Sequence, residues 1–397
     1  MSDIREVILP LPSLQTFSGL ESNFVATSKI IRVLVDYCST VLVFSGLKME
    51  PSSSEGVKQK KKMMPKLKMP EMPKAATVDL DDKFYYEENG ENVLVTALDL
   101  VVVRELGRGA YGVVEEMEHT VTKRHFAVKR IHFSSNDEEQ RRMLLELDTC
   151  MKSKNCDLMV RFYGAMFREN DVWICMEVMD ISLDKFYKKV TDIGEKMPEN
   201  IIGKVAVSLV DGLNFMKEEM GLIHRDVKPS NILISRSGKI KICDFGISGQ
   251  LTNSVAKTLQ AGCKPYMPPE RIDGDLKQAY GVQADVWSLG ITLLEIAHGQ
   301  HPYARWKTPF EQLKQVVQEA PPTLNPSRGY SDQLHDFITV CLIKDCKQRP
   351  KYKDLLQHPF LKWAREQSSD EILPFIGMIV DRIQEDERSL RTSLNSR

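Results

Sequence analysis

The chain has 397 residues, which at the usual ~150 residues per domain suggests two or three units. Its 54 Lys and Arg nearly balance its 55 Asp and Glu, so a net charge of −1 provides no overall field to hold nucleic acid or an anionic membrane. A content of 42% hydrophobic and 27% charged residues is close to the globular average and excludes a collagen-like or wholly disordered chain.

Neither the cysteines nor the most apolar window indicates secretion or membrane insertion. The eight cysteines form no C-x-x-C pair and no Cys/His metal spacing, which is typical of thiols in a reducing compartment. The window from Ile30 to Leu47 carries Arg32 and Asp36, so its charge-free stretch is shorter than the ~20 residues of a membrane helix. We therefore expect a cytoplasmic protein, with a nuclear pool left open, that binds no membrane and no nucleic acid.

The first 91 residues divide into segments of contrasting composition. Residues 1–50 are of uncertain order, with a weak strand-like alternation that suggests no function. Residues 48–74 hold eight lysines against three acids and include four prolines, so they cannot bury enough surface to offset the entropy of ordering. From Asp79 to Glu91 the charge inverts, with six acids against one lysine. The composition predicts a flexible tail over residues 51–91.

The next part of the chain predicts a small β-rich unit followed by a larger helical unit. Strand-like runs occupy residues 99–179 together with one helix, which a capping box at Asn136 and Glu139 opens. Helical patterns dominate residues 180–361, and the run VWSLGITLLEIA is apolar on nearly every face, so we expect it at the centre of a core. A further helix is predicted over residues 369–390.

A glycine-rich turn over residues 107–114 joins two strands of the β-rich unit. The spacing G-x-G-x-x-G lets a hairpin lie flat over phosphates with its backbone N–H groups facing the anion. The motif alone is a weak signal, because it also occurs in ordinary loops. A dinucleotide-binding turn would be followed by a helix, and GVVEEMEHTV does not suggest one.

Two charged residues at otherwise apolar positions form a second candidate feature. Lys129 shares a strand face with apolar neighbours such as Ala127, where it needs an anion unless it extends from a strand edge into solvent. Glu146 lies on a helical stripe with Met143 and Cys150, and a buried carboxylate is costly unless it is paired. The pattern predicts an ion pair between the two charged residues.

A third feature combines the segment HRDVKPSN with a DFG that follows a strand. Phosphoryl transfer needs a carboxylate at the attacking hydroxyl, oxygen ligands for magnesium, and cations near the γ-phosphate. The chain supplies these groups in that order, as Asp226, then Asn231 with Asp244, and Lys228 with Lys129. A chance H-R-D is common, but five elements at this order and spacing indicate phosphoryl transfer.

With these motifs, residues 99–361 resemble a eukaryotic protein kinase, an α+β fold with a small β-rich N-lobe (99–179) and a larger helical C-lobe (180–361). More narrowly, the sequence resembles the dual-specificity MAP kinase kinases, because SVAKT, which carries Ser254 and Thr258, is followed at once by AGCKPYM. The chain resembles the stress-activated branch of that family in these two motifs and in the segments VWICME and PFEQLKQVV. The growth-factor branch has a proline-rich insertion before the segment that corresponds to PFEQLKQVV, and this chain has none there.

The resemblance implies a dual-specificity kinase with a catalytic role for four residues. Asp226 would be the catalytic base with Lys228 beside it, and Lys129, oriented by Glu146, would hold the α- and β-phosphates. Lys228 two residues after Asp226 is the serine/threonine kinase pattern, so phosphorylation of tyrosine is implied by the resemblance alone.

The resemblance also implies ATP and Mg²⁺ as cofactors. Asn231 and Asp244 would bind magnesium. Met176 would be the gatekeeper, and Glu177 and Met179 would offer backbone hydrogen bonds to adenine. The remaining ATP-binding residues would be Leu106, Gly107, Arg108, Gly109, Ala110, Tyr111, Gly112, Val113, Val114 and Lys129.

Two protein partners and a switch follow from the same resemblance. An upstream MAP kinase kinase kinase would phosphorylate Ser254 and Thr258, and Arg225 would meet the activation-loop phosphate. The substrate would be a stress-activated MAP kinase, modified on the Thr and Tyr of its Thr-Gly-Tyr loop.

A basic segment near the start of the chain is a candidate docking motif for that substrate. Lys60, Lys61 and Lys62 are followed, after four residues, by Leu67 and Met69. Lysines that meet an acidic groove, with two apolar side chains in adjacent pockets, resemble the docking motif of the family. The alternative is a solvated basic tail.

The predicted C-terminal helix over residues 369–390 offers a second docking hypothesis. Ile372, Ile376, Ile379 and Ile383 recur at helical spacing in a position that resembles the family's docking site for upstream kinases. The alternative is a helix packed on the larger lobe of the kinase.

Three further observations limit or extend the resemblance. Pro268 stands where the family has alanine in Ala-Pro-Glu, which removes a backbone donor beside the substrate-binding loop. Cys243 directly precedes Asp244, so it either lines the floor of the nucleotide pocket or is an inert buried thiol. A catalytically dead scaffold would lack Lys129, Asp226 or Asp244, and all three are present.

Overall fold

The computed structural model describes most of the chain from residue 81 onward. The described residues are 81–109, 112–133, 137–153, 156–244, 266–272, 281–303, 309–368 and 370–395. Several predicted features lie outside them: residues 1–50, the docking motif with Lys60, Lys61, Lys62, Leu67 and Met69, the turn residues Ala110 and Tyr111, and Ser254 and Thr258.

The first lobe is built on an antiparallel sheet of five strands. Their spatial order is β3 (Leu100–Gly109), β4 (Gly112–His119), β5 (His125–His132), β7 (Asp171–Met176) and β6 (Phe162–Arg168). Each neighbouring pair is antiparallel, so that short turns connect β3, β4 and β5 as well as β6 and β7.

A hairpin of β1 (Lys83–Glu88) and β2 (Glu91–Thr96) precedes this sheet and packs on it. Phe84 and Tyr86 alternate inward on β1 and are buried. Their rings meet the Phe126 ring of β5 nearly edge-on, with centroids 6.0 and 5.5 Å away. The hairpin therefore gives the small lobe a second apolar layer.

The prediction of a flexible tail over residues 51–91 is wrong for its last part, because residues 83–91 belong to the hairpin. The net acidic charge was the misleading signal. Glu87 occupies an outward position, while Phe84 and Tyr86 at alternate positions of β1 are buried. Burial of the side chains on one face is enough to order such a strand, and the net charge of the segment does not reveal that face.

Helix α1 (Asp137–Lys152) lies between β5 and β6 in the sequence and packs on the sheet. Met143, Leu147 and Cys150 are buried in the same apolar cluster as Ile174 of β7. The capping residue predicted at position 136 lies outside the described residues. The buried stripe of this helix is what brings the side chain of its neighbouring residue 146 toward the sheet.

The second lobe is mainly helical. Its small antiparallel sheet has the order β10 (Ile240–Ile242), β9 (Ile232–Ile234) and β8 (Ile181–Ser182). Its helices are α2 (Leu183–Asp192), α3 (Glu199–Glu218), α4 (Pro269–Ile272), α5 (Gln283–His298), α6 (Pro309–Gln318), α7 (Asp332–Cys341), α8 (Tyr352–Leu355), α9 (Pro359–Glu366) and α10 (Leu373–Asn395).

Helix α5 is the centre of the second lobe, as its all-round apolar pattern predicts. Every residue from Ala284 to Ala297 is buried. The predicted α+β fold with two lobes is therefore confirmed. Among the described residues, no helix combines the length and apolarity that a membrane span requires.

Helix α10 has its apolar stripe turned toward the second lobe. Ile372, Ile376, Ile379 and Ile383 are all buried in the main apolar cluster. The Phe375 ring lies 6.3 Å from the Phe186 ring of α2, edge-on. This burial favours the packing alternative for the isoleucines. Docking of an upstream kinase on this helix stays a prediction and would use its outer face.

Candidate active site

Three charged side chains from three separate elements meet in the cleft between the lobes. Lys129 lies on β5, Glu146 on α1, and Asp244 just after β10. The ammonium of Lys129 donates to Glu146 Oε1 at 2.5 Å and to Asp244 Oδ1 at 2.6 Å. The structure thus joins the two predicted partners and adds the carboxylate from the other lobe.

The charges in this group stabilise one another. Burial alone would lower the pKa of the Lys129 ammonium, but Asp244 and Glu146 outweigh burial and hold that pKa well above its usual range. Burial would likewise raise the pKa of Asp244, but Lys129 outweighs it and lowers that pKa. At neutral pH the cleft therefore presents a fixed cation beside an ionised carboxylate.

The backbone of the HRD segment is held by a buried carboxylate. Asp285, at the start of α5, accepts from the backbone N–H of His224 at 2.9 Å and of Arg225 at 2.7 Å. The Tyr352 hydroxyl donates to the same carboxylate at 2.9 Å. Burial raises the pKa of Asp285, and these donors oppose that effect. Arg225 has a φ of 68°, so these hydrogen bonds hold a strained turn in place.

The side chain of Asp226 is fixed on one oxygen. Lys228 Nζ donates to Asp226 Oδ2 at 2.7 Å, and Asn231 Nδ2 donates to the same oxygen at 2.9 Å. Asn231 Nδ2 also donates to the Asp226 carbonyl at 2.9 Å. The structure therefore brings these three predicted residues into a single network, in which both side-chain donors use Oδ2 and Oδ1 has no partner among the described residues.

The two predicted magnesium ligands lie on neighbouring stretches of backbone. The N–H of Cys243 donates to the carbonyl of Asn231 at 3.0 Å, which places Asn231 beside the residue before Asp244. The Asn231 amide nitrogen donates to Asp226, so the cation ligand would be the amide oxygen, which also accepts from the Ser230 hydroxyl at 3.3 Å. One carboxylate and one amide oxygen fit Mg²⁺, which prefers hard oxygen ligands and completes its shell with water and phosphate. No cluster of three or more acidic, His or Cys ligands exists among the described residues.

The two strands that flank the glycine-rich turn are paired up to the turn itself. Gly109 of β3 is paired with Gly112 of β4 across the turn. A Cβ atom on Gly112 would lie 1.9 Å from the carbonyl oxygen of Arg130, so only glycine permits this approach. Leu106, Gly107 and Arg108 lie on β3 before the turn, and Val113 and Val114 on β4 after it.

The hinge between the lobes begins where β7 ends. Met176 is the last residue of β7 and is paired with Ala127 of β5. The backbone N–H of Glu177 already donates to the Arg161 carbonyl at 2.9 Å, so the predicted hydrogen bond to adenine would use the Glu177 carbonyl. Met179, the other predicted hinge contact, is buried.

Cys243 lies directly before Asp244 and is partly buried. Burial raises the pKa of its thiol well above the usual range, and the neighbouring Asp244 carboxylate adds to this. The His224 ring approaches the Cys243 carbonyl at 3.3 Å. The thiol is therefore protonated at neutral pH, which agrees with the inert alternative for its chemistry although its position is beside the cleft.

Pro268 is buried and directly precedes α4. Its carbonyl accepts from the N–H of Arg271 at 3.1 Å, in the first turn of that helix. Glu270 in the same helix pairs with the fully buried Arg349 at 2.8 Å. Pro268 therefore lies at the start of helix α4, which the ion pair of Glu270 with Arg349 holds in place.

Sequence reasoning missed one buried charge near the hinge. Lys241 lies on β10 between Ile240 and Ile242, and its side chain is almost completely buried. Its ammonium donates to the Glu177 carboxylate. The sequence pattern that indicates it is a lysine flanked by isoleucines in a short apolar strand. Lys129 was identified from the same kind of pattern, a charged residue among apolar neighbours.

Comparisons with known proteins agree with this geometry. A family model described as a protein kinase domain matches residues 100–361. The chain is 58% identical over 320 residues to the dual specificity mitogen-activated protein kinase kinase sek-1 of Caenorhabditis elegans, which covers 80% of this chain and 95% of that protein.

Two further relatives are similar over most of the chain. The MAP kinase kinase mkk-4 of Caenorhabditis elegans is 48% identical over 262 residues, 65% of this chain and 72% of that protein. The dual specificity mitogen-activated protein kinase kinase hemipterous of Drosophila melanogaster is 44% identical over 305 residues, 75% of this chain and 26% of that protein.

Proposed function

The chain belongs to the dual-specificity mitogen-activated protein kinase kinases, and from this premise we propose that its substrate is a stress-activated MAP kinase. The enzyme transfers the γ-phosphate of ATP to the Thr and the Tyr of a Thr-Gly-Tyr activation loop. The motifs SVAKT and AGCKPYM, which resemble the stress-activated branch, support this choice of substrate.

The observation that carries the catalytic proposal is the contact of Lys129 with both Glu146 and Asp244. A cation held from two lobes is available to the α- and β-phosphates only when the lobes are in register. Glu146 orients it from the first lobe, and Asp244 presents its carboxylate at the same point from the second. Such preorganised charge stabilises the transition state without reorganisation during the reaction.

Asp226 is proposed as the base that receives the proton of the substrate hydroxyl. Lys228 and Asn231 hold its Oδ2, so Oδ1 accepts that proton as the hydroxyl oxygen bonds to the γ-phosphorus and the bond to ADP breaks. Lys228, whose ammonium is held 2.7 Å from Asp226 Oδ2, would neutralise charge on the transferred phosphoryl group. Asn231 and Asp244 would hold Mg²⁺, which when bound shields the charge of the phosphates.

Activation is proposed to follow phosphorylation of Ser254 and Thr258 by an upstream MAP kinase kinase kinase. Both residues lie between Asp244 and Glu270 in the sequence, four residues apart. Arg225 is the proposed partner of an activation-loop phosphate, because its backbone is fixed by Asp285 and a guanidinium pairs well with phosphate.

The basic segment with Lys60, Lys61, Lys62, Leu67 and Met69 is proposed to dock the MAP kinase substrate. A peptide spanning residues 56–74 should bind the stress-activated MAP kinase, and more weakly as salt rises. A matched peptide with Leu67→Ala and Met69→Ala keeps every charge. Equal binding by the two peptides would identify the segment as a merely basic tail. The kinase is expected to act in the cytoplasm, with a nuclear pool left open.

The experiment that tests the proposed substrate uses a Ser254→Glu, Thr258→Glu variant, which mimics the activated form. It is incubated separately with a MAP kinase of each activation-loop class, and modified residues are mapped by mass spectrometry. We expect phosphate on both Thr and Tyr of the Thr-Gly-Tyr class. Preference for another class would refute the stress-branch assignment, and equal rates for the double-alanine and double-glutamate variants would refute the switch.

A further inference from the structure

A buried ion pair lies behind the hinge and outside the catalytic cluster. Lys241 is only 4% exposed, and its neighbours on β10 are the buried Ile240 and Ile242. Its ammonium donates to Glu177 Oε1, the carboxylate of the residue that follows Met176 in the hinge. A buried ammonium is costly unless it is paired, so this contact fixes both side chains.

The same carboxylate is tied to a third segment. Glu177 Oε1 also accepts from the backbone N–H of Arg161 at 2.7 Å, and the N–H of Glu177 donates to the Arg161 carbonyl at 2.9 Å. Residues 158–161, which lie between α1 and β6, therefore hold the hinge at two points.

That third segment also holds β10. The N–H of Ile242 donates to the Leu158 carbonyl at 2.9 Å, and the N–H of Val160 donates to the Ile242 carbonyl at 3.0 Å. The Lys241 side chain connects β10 to the hinge through its hydrogen bond to Glu177. Three segments are thus joined to one another: the hinge, residues 158–161 and β10. We call this arrangement the clamp, and the ion pair of Lys241 with Glu177 links the hinge directly to β10 within it.

The clamp spans the two ends of the proposed nucleotide site. At one end, the Glu177 carbonyl is the group that would bond to adenine. At the other, β10 leads within three residues from Lys241 to Asp244, the proposed magnesium ligand. The separation of these two groups must match the fixed length of ATP from its base to its phosphates, and errors near 1 Å are costly.

We propose that Lys241 is a positioning residue for ATP, which acts through Glu177 to fix the adenine edge of the site relative to Asp244. This inference rests on the proposed nucleotide site. In this role Lys241 acts through its hydrogen bond to Glu177 and not by contact with the nucleotide. A lysine that served stability alone could be replaced, together with its partner, by apolar residues without effect on nucleotide binding.

Binding of mant-ATP, a fluorescent ATP analogue, in the presence of Mg²⁺ tests the proposal on the full chain without any protein substrate. We expect Lys241→Met to weaken binding by about tenfold, because the hinge shifts relative to Asp244. Lys241→Arg keeps the charge and should restore most of the affinity. Lys239→Met is the matched control, since Lys239 is exposed on the same stretch of chain and should bind as the wild type does.

A double variant, Lys241→Met with Glu177→Leu, guards against a single variant that fails to fold. It removes both charges together, so it should fold, yet it should still bind mant-ATP less tightly than the wild type. Wild-type affinity in a folded Lys241→Met or double variant would overturn the positioning role. Failure of the wild type itself to bind mant-ATP would instead overturn the proposed nucleotide site.

Discussion

Lys129 in the cleft and Arg349 in the second lobe are both cations paired with carboxylates, but Lys129 is partly exposed whereas Arg349 is buried. Arg349 is fully buried and donates to Glu270 at 2.8 and 3.1 Å, and also to the carbonyls of Ile343 and Gln283. Within the part of the chain that the structure describes, the side-chain partners of Lys129 are two carboxylates on different lobes, and one of them is half exposed.

The difference separates a structural ion pair from a functional one. The donors of Arg349 are used by fixed acceptors of the protein, so this pair has nothing to offer a ligand. Lys129 faces two carboxylates with one charge, so the site carries an excess negative charge that a metal cation can neutralise. An ion pair in the interior therefore indicates function when its partners are mismatched in charge and lie on different lobes.

The largest expected effect on stability belongs to Arg349. Arg349→Met leaves the Glu270 carboxylate buried without its partner and should lower the free energy of unfolding by about 3–5 kcal/mol. Urea denaturation measures this. The control is Arg365→Ala, which removes a more exposed pair with Asp211 and should cost less than about 1 kcal/mol. Similar losses in the two variants would remove the distinction between buried and exposed pairs.

Lys129→Met should show the opposite balance of effects. Its kinase activity should fall by about 100-fold or more, because a charge that stabilises the transition state is lost. Its loss of unfolding free energy should be smaller than that of Arg349→Met, since its carboxylate partners lie in a cleft that water reaches. Activity near that of the wild type, or unfolding of the variant at ambient temperature, would contradict the functional interpretation of this pair.

A smaller effect is expected on acid titration, because Lys129 lowers the pKa of Asp244. The ionised carboxylate therefore stabilises the fold at pH values above the unfolded pKa of Asp, about 3.9, and this contribution disappears as the pH falls through the lower folded pKa. The stability advantage of the wild type over Asp244→Asn should accordingly shrink in acid. An advantage that grew as the pH fell would show that burial, and not Lys129, dominates this pKa.

The smallest expected effect concerns two thiols, one beside each ion pair. Burial raises the pKa of the Cys346 thiol, and it raises the pKa of the Cys243 thiol well above its usual range. Iodoacetamide at neutral pH should therefore label Cys346 first and Cys243 only slowly, which mass spectrometry of peptides resolves. Faster labelling of Cys243 would mean that the thiol is ionised and that the cleft is more polar than the structure indicates.

The sequence predicted those parts of the site that depend on local periodicity. The inward positions of Lys129 and Glu146 followed from strand and helix spacing, and the central position of α5 followed from its apolar faces. Such patterns report which side chains leave water, and a buried charge then requires a partner. Nothing local indicated that Asp244 from the second lobe would share Lys129.

Two other features escaped sequence reasoning for physical reasons. The β1–β2 hairpin is acidic overall, and its order comes from aromatic rings that meet Phe126 more than thirty residues away. The pair of Lys241 with Glu177 joins residues 64 apart in sequence, across the hinge. Contacts of this kind join residues that only the folded chain brings together, so a short window of sequence does not indicate them.

The most direct test of the central claim, that the cleft performs dual-specificity phosphoryl transfer, is the Asp226→Ala substitution in the Ser254→Glu, Thr258→Glu background. Circular dichroism and mant-ATP binding first establish that the variant is folded. Mass spectrometry then quantifies phosphate on the Thr and Tyr of the stress-activated MAP kinase. We expect both modifications to be lost relative to the parent variant. Near-normal phosphorylation of either residue would contradict it.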